Sequence, residues 1–472
     1  MLPERTPFQV LITAEEAWPA FERAVLDARD EIQMGFRIFD MTTALRSDEG
    51  RAVGADWFDL LAHKLGQGVR IRLVVSDFDP VMAAPLHKIA LATARQGAGL
   101  AEVTGAGDRL EVVRALHPAR AGLMWRSVLG PLAKREKGKV PVFATVTHHQ
   151  KIAVIDREWL YIGGLDQNER RFDTLEHDRR ARRTWTDVQL LLRGPEAAEA
   201  AAHLDGFLAA CAGQGALAKG RCLRRTISAP RRLQAPYLAP WTRLREIEAA
   251  HLEAIRDAEQ LIYIETQFLR SSRIAAALAH AGMSRPGLRL ILVLPALPDD
   301  VAFEDNRGAD ARFGLWLSHK SLKRVTEAFG PRAAVLSPVK PERAAEDDLK
   351  VHAGAPMVYV HSKVLICDDR RALVGSANLN GRSLRWDTEV ALDLRAPERV
   401  GALWRALAMH WWGGAVPDSA LALGTAQAWW AAQAEENARS APEARRGFMV
   451  PHDIAQVPEL HMPMPGVPED IV

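Results

Sequence analysis

Apolar residues follow two kinds of spacing along the chain, and the same order of predicted elements occurs in both halves. Residues 13–28 carry apolar positions at helical spacing, and residues 31–39 then show a strand pattern. In the second half, residues 244–258 again predict a helix, and residues 261–268 predict the strand that follows it. This repeated order is the first indication that the two halves fold alike.

A third element supports the repeat. A glycine followed by a continuous apolar run occurs at residues 68–75 and again at residues 287–294, a pattern typical of a strand buried on both faces. Three matching elements in the same order predict an internal duplication. Each copy combines helices with strands, so the predicted fold class is α/β.

Composition along the chain predicts where the two lobes end. Residues 212–238 are rich in Gly, Pro and Arg and have little periodicity, so we predict a linker there. The N-terminal lobe is then predicted at residues 1–211 and the C-terminal lobe at residues 239–415. Residues 416–472 predict a C-terminal helix and a proline-rich tail.

A constellation of polar residues interrupts the apolar pattern once in each half. The pattern of His, any residue, Lys, four residues and Asp occurs at residues 149–156 and again at residues 361–368. Glycine turns follow at the same distance, at residues 163–168 and 375–380. Because side chains two residues apart lie on the same face of a strand, each copy presents an imidazole beside an ammonium group. Two such strands facing each other would supply the groups that cleavage of a phosphodiester requires.

These motifs resemble those of the phospholipase D superfamily, whose members carry two copies of this His-Lys-Asp pattern, each followed by a glycine turn. Residues 163–174, 262–268 and 382–389 are also similar to segments of eukaryotic-type phospholipases D. The resemblance covers most of the chain, from about residue 31 to about residue 396. It implies two α/β sandwich lobes with mixed β-sheets, related by a pseudo-twofold axis, with the active site in the cleft between them.

The resemblance also implies roles for the histidines and lysines of the motifs. His149 is then the nucleophile that forms a phosphohistidine intermediate, and His361 is the acid that protonates the departing alcohol and then activates water. The residues themselves leave these two roles interchangeable. Lys151 and Lys363 would clamp the phosphate through charge-assisted hydrogen bonds.

A catalytic imidazole needs a partner on its other nitrogen, and two carboxylates are candidates for this role. Glu389 stands where the family places its histidine-orienting carboxylate, and Asp187 is the matching position of the first copy. Asp156 and Asp368 complete the named motif. They lie at the far end of the strand from the histidines, so we predict structural roles for them.

The residues of the glycine turns predict further contacts. We expect Asn168 and Asn380, at equivalent places in the two turns, to contact the phosphate. The Ser376 hydroxyl is expected to assist them and to bond the end of its own strand. Asp166 stands where the second copy has Asn378, and an ionised carboxylate repels a phosphate, so we expect Asp166 to pair with a neighbouring Lys or Arg.

Several other residues are expected to shape the cleft. Gly163, Gly164 and Gly375 would let the backbone turn closely beneath the substrate. The resemblance implies that Glu265 and Gln267 line the cleft.

Composition narrows the class of protein. With 48% hydrophobic and 25% charged residues, the chain of 472 residues is typical of a globular protein large enough for two lobes. The formal net charge of +2 gives no general attraction to polyanions, so we expect no stable nucleic-acid partner. The three cysteines have no metal-ligand spacing, and we predict catalysis without a metal or another cofactor.

The sequence shows no apolar run of signal-peptide or membrane-spanning length. We therefore expect a cytoplasmic or peripheral membrane protein, most simply a monomer. Its use on the lipids of its own cell and its delivery to another cell as an effector stay open alternatives.

One apolar segment predicts a membrane surface as partner. Residues 122–130 include a tryptophan and precede Lys134, Arg135, Lys137 and Lys139, so this stretch could lie at a phospholipid bilayer interface. An ordinary loop or a buried helix followed by solvated charges is the alternative.

The predicted activity is that of a phospholipase D, which hydrolyses the distal phosphodiester bond of glycerophospholipids to phosphatidic acid and a free headgroup. Transfer of the phosphatidyl group to an alcohol is a variant of the same chemistry. A nucleic-acid phosphodiesterase, a cardiolipin-synthase-like phosphatidyltransferase and a catalytically silent lipid-binding scaffold are the alternatives. Intact His and Lys in both motifs argue against the scaffold.

Overall fold

The structure is a computed structural model of the chain. The structure describes residues 6–129, 141–216, 218–346, 348–455 and 457–472. The basic residues at positions 134–139, part of the predicted membrane segment, lie outside the described residues.

The strands of the described residues form two large sheets and one small hairpin. In chain order the strands are β1 (Phe8–Ile12), β2 (Glu31–Phe36), β3 (Arg70–Asp77), β4 (Leu110–Leu116), β5 (Lys151–Ile155), β6 (Trp159–Gly163), β7 (Val188–Arg193), β8 (Leu223–Ala229), β9 (Trp241–Arg245), β10 (Leu261–Glu265), β11 (Arg289–Val293), β12 (Ala333–Pro338), β13 (Val351–His352), β14 (Ala355–Pro356), β15 (Val364–Cys367), β16 (Arg371–Gly375), β17 (Glu389–Leu394) and β18 (Met449–Pro451).

The helices connect these strands and cover the sheets. They are α1 (Thr13–Leu26), α2 (Asp48–Arg51), α3 (Trp57–Gly66), α4 (Ala84–Thr104), α5 (Leu123–Leu129), α6 (Pro195–Cys211), α7 (Glu246–Asp257), α8 (Ser272–Ser284), α9 (Asp299–Phe303), α10 (Ala309–Phe329), α11 (Gly381–Arg385), α12 (Pro397–Trp411) and α13 (Ala426–Arg439).

The order of strands confirms that the fold is a mixed α/β fold built from two similar halves. The first sheet has the order β1-β7-β6-β5-β2-β3-β4. The second sheet contains β8-β17-β16-β15-β10-β11-β12 in the corresponding order, with β9 added at one edge and β18 at the other. In each sheet the last three strands of this order run parallel to one another, whereas the others pair antiparallel. The sheets are therefore mixed.

The predicted repeats correspond to real elements. The helix expected at residues 13–28 is α1, and the one expected at residues 244–258 is α7. The strand expected at residues 31–39 is β2, which ends earlier, at Phe36. The backbone N–H of Ile38 leaves the strand ladder because it donates to the Asp166 carboxylate in the glycine turn (3.0 Å).

The main core lies between the two sheets. Buried side chains of both sheets pack there with residues of α6, α12 and α13, and these form one continuous apolar cluster. Separate clusters lie on the outer faces, beneath α1 and α3 in the first lobe and beneath α7, α8 and α10 in the second. Because the sheets share a core, the ends of their central strands are held at fixed positions relative to one another.

Each of the two segments predicted as a linker and as a C-terminal helix with a tail contributes a strand to the second sheet. β8 lies in the stretch 212–238, where a linker was predicted, and it pairs with β17 of the second sheet. In the segment 416–472, α13 is followed by β18, which pairs with β12. Within the described part of the chain, every helix is too short or too polar to cross a membrane.

Candidate active site

The two His-Lys motifs meet where the central strands of the two sheets begin. β5 starts at Lys151, and β15 starts directly after Lys363. The backbone N–H of His149 donates to the carbonyl of Thr388 in the other lobe (2.9 Å), and the N–H of His361 donates to the carbonyl of Thr186 (2.8 Å). Each histidine is therefore anchored to the opposite half of the protein.

The residues that follow these two threonines are the predicted carboxylates, and they pair with the histidines crosswise. The Nδ1 atom of His361 lies 2.6 Å from Oδ2 of Asp187. The Nδ1 atom of His149 lies 2.9 and 3.1 Å from the two carboxylate oxygens of Glu389. Each imidazole thus uses the carboxylate of the other repeat, and its Nε2 remains available for chemistry.

The glycine turns make room for these carboxylates. A side chain at Gly164 would place its Cβ 2.3 Å from Oδ1 of Asp187, so any larger residue would displace the carboxylate. The equivalent residue of the second lobe is Ser376, whose hydroxyl donates to Oε2 of Glu389 (2.5 Å). Ser376 also accepts a hydrogen bond from the N–H of Val390 (3.1 Å). Ser376 therefore fixes the position of the Glu389 carboxylate, which in turn accepts from Nδ1 of His149.

Gly163 and Gly375 lie at equivalent places where two strands approach closely. An added Cβ would lie 2.1 Å from the carbonyl oxygen of Val188 at the first position and 2.2 Å from that of Val390 at the second. The glycines are therefore required by the backbone of the neighbouring strand, β7 or β17, rather than by a turn conformation.

Both motif lysines are buried beside their histidines. The ammonium group of Lys151 donates to the carbonyl of His149 (2.6 Å), and that of Lys363 donates to the carbonyl of His361. Lys151 also lies 3.8 Å from Oδ2 of Asp166, which is the pairing expected for that carboxylate. Each ammonium group is close enough to both imidazoles for its charge to lower the pKa of His149 and of His361.

Burial shifts the proton affinities of the whole centre. Burial raises the pKa of Asp187 to about 7 and that of Glu389 to about 8, although nearby lysines act in the opposite direction. Burial lowers the pKa of Lys363 to about 7, against the attraction of Asp187. It also lowers the pKa of His149 and His361 well below the usual histidine value, and the neighbouring lysines act in the same direction. A buried site disfavours charge on each of these groups, and an anionic phosphodiester would stabilise the cationic ones.

The motif aspartates lie at the far end of the strands and hold the backbone there. The Asp156 carboxylate accepts hydrogen bonds from three consecutive N–H groups at the start of β2, at 2.8 to 2.9 Å. The Asp368 carboxylate does the same for the three N–H groups at residues 259–261, also at 2.8 to 2.9 Å. Both are away from the histidines and connect two adjacent strands of each sheet.

The predicted asparagines occupy helix starts. Oδ1 of Asn380 accepts from the N–H of Ser383 at the start of α11 (3.0 Å), and its amide nitrogen donates to the carbonyl of Val472 (3.0 Å). Asn168 precedes a short 3-10 helix, and its Oδ1 is buried without a hydrogen-bond partner in the described structure. The Asn380 amide therefore bonds to backbone groups through both its oxygen and its nitrogen, whereas Oδ1 of Asn168 can still accept a hydrogen bond.

Glu265 and Gln267 differ in their surroundings. The Glu265 carboxylate is buried beneath the second motif, where it accepts hydrogen bonds from Ser362 (2.5 Å), Trp411 (2.6 Å) and Tyr263. Gln267 lies beyond the end of β10 and donates to the hydroxyl of Tyr359. The structure therefore places Glu265 behind the motif strand.

The equivalent position of the first lobe shows why this carboxylate occurs only once. The strand register aligns Glu265 with Gly35, and Ser362 corresponds to Gln150 in the first motif. An added Cβ at Gly35 would lie 2.7 Å from the Gln150 amide nitrogen. The long side chain of Gln150 therefore requires glycine at position 35, whereas the short side chain of Ser362 leaves space for Glu265.

Three residues to which the sequence patterns assigned no role lie near the centre. The strand register places Arg37 at the position equivalent to Gln267. The Arg171 guanidinium stacks on Trp185 with Cζ 3.6 Å from the ring centroid, and that ring lies 4.4 Å from the His361 ring. The Nε atoms of both arginines are buried without a hydrogen-bond partner in the described structure.

The third of these residues is Asn378, the counterpart of Asp166, whose buried Oδ1 also has no partner in the described structure. The repeat itself contained the signal for Arg37. Aligning the starts of the two predicted strands, at residues 31 and 261, would have placed this arginine opposite Gln267.

Comparisons with known proteins identify a matching family model and similar proteins. A family model described as "Cardiolipin synthase, PLD-like domain" matches residues 251–411. The chain is 28% identical to phospholipase D1 of Mus musculus over 181 residues, which are 33% of this chain and 16% of that protein. It is 25% identical to phospholipase D1 of Saccharomyces cerevisiae over 352 residues, 54% of this chain and 20% of the relative. The matches thus span at most a fifth of the length of these two relatives.

A solved structure shares the fold. The crystal structure of phosphatidylserine synthase from Haemophilus influenzae Rd KW20 superposes with a TM-score of 0.50 at 13% identity, over 84% of this chain and 83% of that one. Two matched His-Lys motifs, one in each half of a duplicated α/β fold, occur together with sequence similarity to phospholipases D. The family model and these relatives support the phospholipase D superfamily as the family of this chain.

Proposed function

We propose that the protein is a phospholipase D that hydrolyses the distal phosphodiester bond of glycerophospholipids to phosphatidic acid and a free headgroup. One observation carries the proposal: two imidazoles, each held at Nδ1 by a carboxylate of the opposite lobe, stand beside two buried lysines. This arrangement supplies a nucleophile, an acid and an anion clamp for in-line displacement at phosphorus.

The proposed reaction has two steps. Nε2 of His149 attacks phosphorus, the bond to the headgroup oxygen breaks, and Nε2 of His361 gives its proton to that oxygen. His361, now neutral, takes a proton from water as the water oxygen attacks phosphorus. The bond from phosphorus to His149 then breaks, and phosphatidic acid leaves. Lys151 and Lys363 neutralise the phosphoryl oxygens in both transition states.

We further propose that these groups act without a metal. Two imidazoles perform the proton transfers, and two ammonium groups perform the charge neutralisation that a metal ion performs in other phosphodiesterases. Among the residues that the structure describes, no group of three or more His, Cys, Asp or Glu side chains is arranged to hold a metal ion.

Phosphatidyl transfer to an alcohol is the second candidate. Two findings favour it: the matching family model is described as a cardiolipin synthase domain, and the structural neighbour is a phosphatidylserine synthase. The proposed mechanism accommodates it, because an alcohol that reaches the phosphohistidine before water takes the phosphatidyl group instead.

The test is incubation with phosphatidylcholine and phosphatidylethanolamine, and separately with single-stranded and duplex DNA, all in EDTA. We expect choline or ethanolamine and phosphatidic acid, with a His149→Ala/His361→Ala variant as the inactive control. Cleavage of DNA with every phospholipid left intact would overturn the proposal. Added ethanol separates the two candidates: phosphatidylethanol is the product of transfer, and phosphatidic acid alone is the product of a strict hydrolase.

A further inference from the structure

Three segments of the chain come together beside the first motif. They are the stretch leading into α5, the stretch 141–146 before the motif, and the loop between β8 and β9. Backbone hydrogen bonds connect them, namely Ala121 N–H to Phe143 O (2.9 Å), Gly122 N–H to Tyr237 O (2.9 Å) and Met124 N–H to Ala235 O (3.2 Å). A side chain at Gly122 would place its Cβ 2.1 Å from the Gln234 carbonyl oxygen, so the first and third segments touch closely.

These segments expose large apolar side chains to solvent. The exposed fractions are 69% for Leu123, 65% for Met124, 37% for Val142, 70% for Leu233, 46% for Tyr237 and 49% for Trp241. Single exposed apolar residues are common on soluble proteins, whereas several on adjoining segments mark an interaction surface.

The inner side of the same segments is a small core that reaches the catalytic centre. Ala121, Val146 and Leu238 are buried there against Trp386, and Trp125 and Phe143 pack at its edge. Val146 precedes His149 by three residues, and Trp386 precedes Glu389 by three. The surface is therefore built on the same short stretches of chain that carry one histidine and its carboxylate.

The three segments themselves carry charges of one sign. Residues 113–126, 141–155 and 219–245 contain no Asp or Glu. The segments contribute arginines, three of which lie over aromatic rings of the surface: Arg126 over Phe143 (5.6 Å), Arg231 over Tyr237 (4.5 Å) and Arg243 over Trp241 (5.6 Å). Asp79 approaches from β3, but it is buried and accepts backbone N–H groups at residues 81, 82 and 144.

We propose that the exposed residues of these three segments form one docking surface for an anionic lipid bilayer. The apolar side chains would enter the interface, while the arginines would meet the lipid phosphates. Rings such as those of Tyr237 and Trp241 are suited to the boundary between headgroups and acyl chains. Docking there would bring the cleft to the bilayer and shorten the path of a lipid headgroup to the histidines. The inference rests on the proposed lipid substrate.

The first experiment measures binding by sedimentation with vesicles of phosphatidylcholine, with and without phosphatidylglycerol. The variant Leu123→Ser/Met124→Ser is compared with the control Val103→Ser/Met283→Ser, whose residues are exposed to 68% and 66% on α4 and α8. We expect the first variant to bind about tenfold more weakly than the wild-type protein, because two apolar side chains no longer leave water on binding. The control should bind as the wild-type protein does. Equal binding by the two variants, or no binding by the wild-type protein, would overturn the inference.

Two further measurements separate the surface from the activity. Turnover of a short-chain phospholipid kept dissolved as monomers should be the same for both variants, because this substrate requires no docking to a bilayer. Absence of turnover in all proteins would contradict the proposed function and would leave the vesicle result unaffected. Arg232 is an exposed arginine of the loop between β8 and β9. Arg232→Glu should weaken binding to the vesicles that contain phosphatidylglycerol several-fold and hardly change binding to phosphatidylcholine alone. A loss of single-stranded DNA binding in the serine variant, with vesicle binding unchanged, would assign the surface to nucleic acid instead.

Discussion

At the scale of single residues, the pairing of each histidine with a buried carboxylate determines which protons the site can hold. A nucleophilic His149 needs one proton in its pair with Glu389, on Nδ1, so that Nε2 has a free lone pair. An acidic His361 needs two protons in its pair with Asp187, one of which it can give away. The two pairs must therefore be in different protonation states at the same pH.

The first prediction is a bell-shaped dependence of kcat/KM on pH. The His149–Glu389 pair is in its nucleophilic form above the raised pKa of Glu389, about 8, and the His361–Asp187 pair is in its acidic form below the raised pKa of Asp187, about 7. Only the state with one proton in the His149–Glu389 pair and two in the His361–Asp187 pair is active. Its fraction is largest between about pH 7 and pH 8, because lower pH adds a proton to the first pair and higher pH removes one from the second. The rate should therefore fall below about pH 7 and above about pH 8, and loss of the Lys363 proton adds to the fall on the alkaline side.

The measurement is the rate on a soluble short-chain phospholipid as a function of pH, with the folded state checked at each pH by circular dichroism. A constant rate from mildly acidic to mildly alkaline pH would contradict the assignment of these proton affinities.

At the scale of elements, the motif aspartates hold backbone in place at the ends of the strands that lie away from the histidines. Asp368 follows β15 and accepts three backbone N–H groups just before and at the start of β10. It therefore fixes the register of two adjacent strands, and His361 lies at the opposite end of one of them, β15. Asp156 performs the same task between β5 and β2.

The second prediction is that Asp368→Ala lowers the free energy of unfolding by about 3 kcal/mol, because three N–H groups lose a charged acceptor in a site that is only 4% exposed. Denaturant unfolding measures the change. Asp369→Ala is the matched control: this neighbour is exposed and lies 3.9 Å from Arg370, so its loss should change stability by less than about 0.5 kcal/mol. Equal effects of the two substitutions would show that the hydrogen bonds to Asp368 contribute little.

At the scale of the whole molecule, each histidine–carboxylate pair is formed by residues of both lobes, so the proposed chemistry requires both. Asp187 is 174 residues from His361, and Glu389 is 240 residues from His149. The core shared by the two sheets holds these partners at hydrogen-bond distance.

The third prediction distinguishes crossed from uncrossed pairing. Asp187→Asn should impair the proposed acid, His361, and should behave like His361→Ala. Glu389→Gln should impair the proposed nucleophile, His149, and should behave like His149→Ala. Each substitution should slow turnover of an ordinary phospholipid about a thousandfold or more, because the imidazole loses the partner that fixes its tautomer.

A substrate with a p-nitrophenol leaving group separates the two classes, because nitrophenol leaves with little need for protonation. Asp187→Asn and His361→Ala should each release one burst of nitrophenol and then stall with a phosphoryl group on His149, detectable by mass spectrometry. Glu389→Gln and His149→Ala should release no burst. If Asp187→Asn gave no burst and Glu389→Gln gave one, while the two histidine variants behaved as expected, each carboxylate would serve the histidine of its own repeat. If all four variants gave the reverse result, the pairing would stay crossed and the two histidines would exchange roles.

Much of this protein is encoded locally and could be predicted from its sequence. The apolar runs of the central strands, their repetition and the spacing of His149 to Lys151 and His361 to Lys363 follow from the periods of strands and helices. These periods depend on neighbouring residues alone. They therefore predicted the duplication and the α/β class, and they placed the His and Lys of each motif on the same face of a strand.

Other features depend on residues far apart in the chain, and only the tertiary structure decided them. The sequence identified Asp187 and Glu389 but did not assign each to a histidine, because their pairing depends on how the two sheets share a core. The position of Glu265 beneath Ser362, the proximity of Arg171 to His361 through Trp185, and the joining of α5 to the loop between β8 and β9 have the same origin. Local spacing determines which face of a strand a side chain occupies, whereas the packing of the sheets determines what that side chain meets.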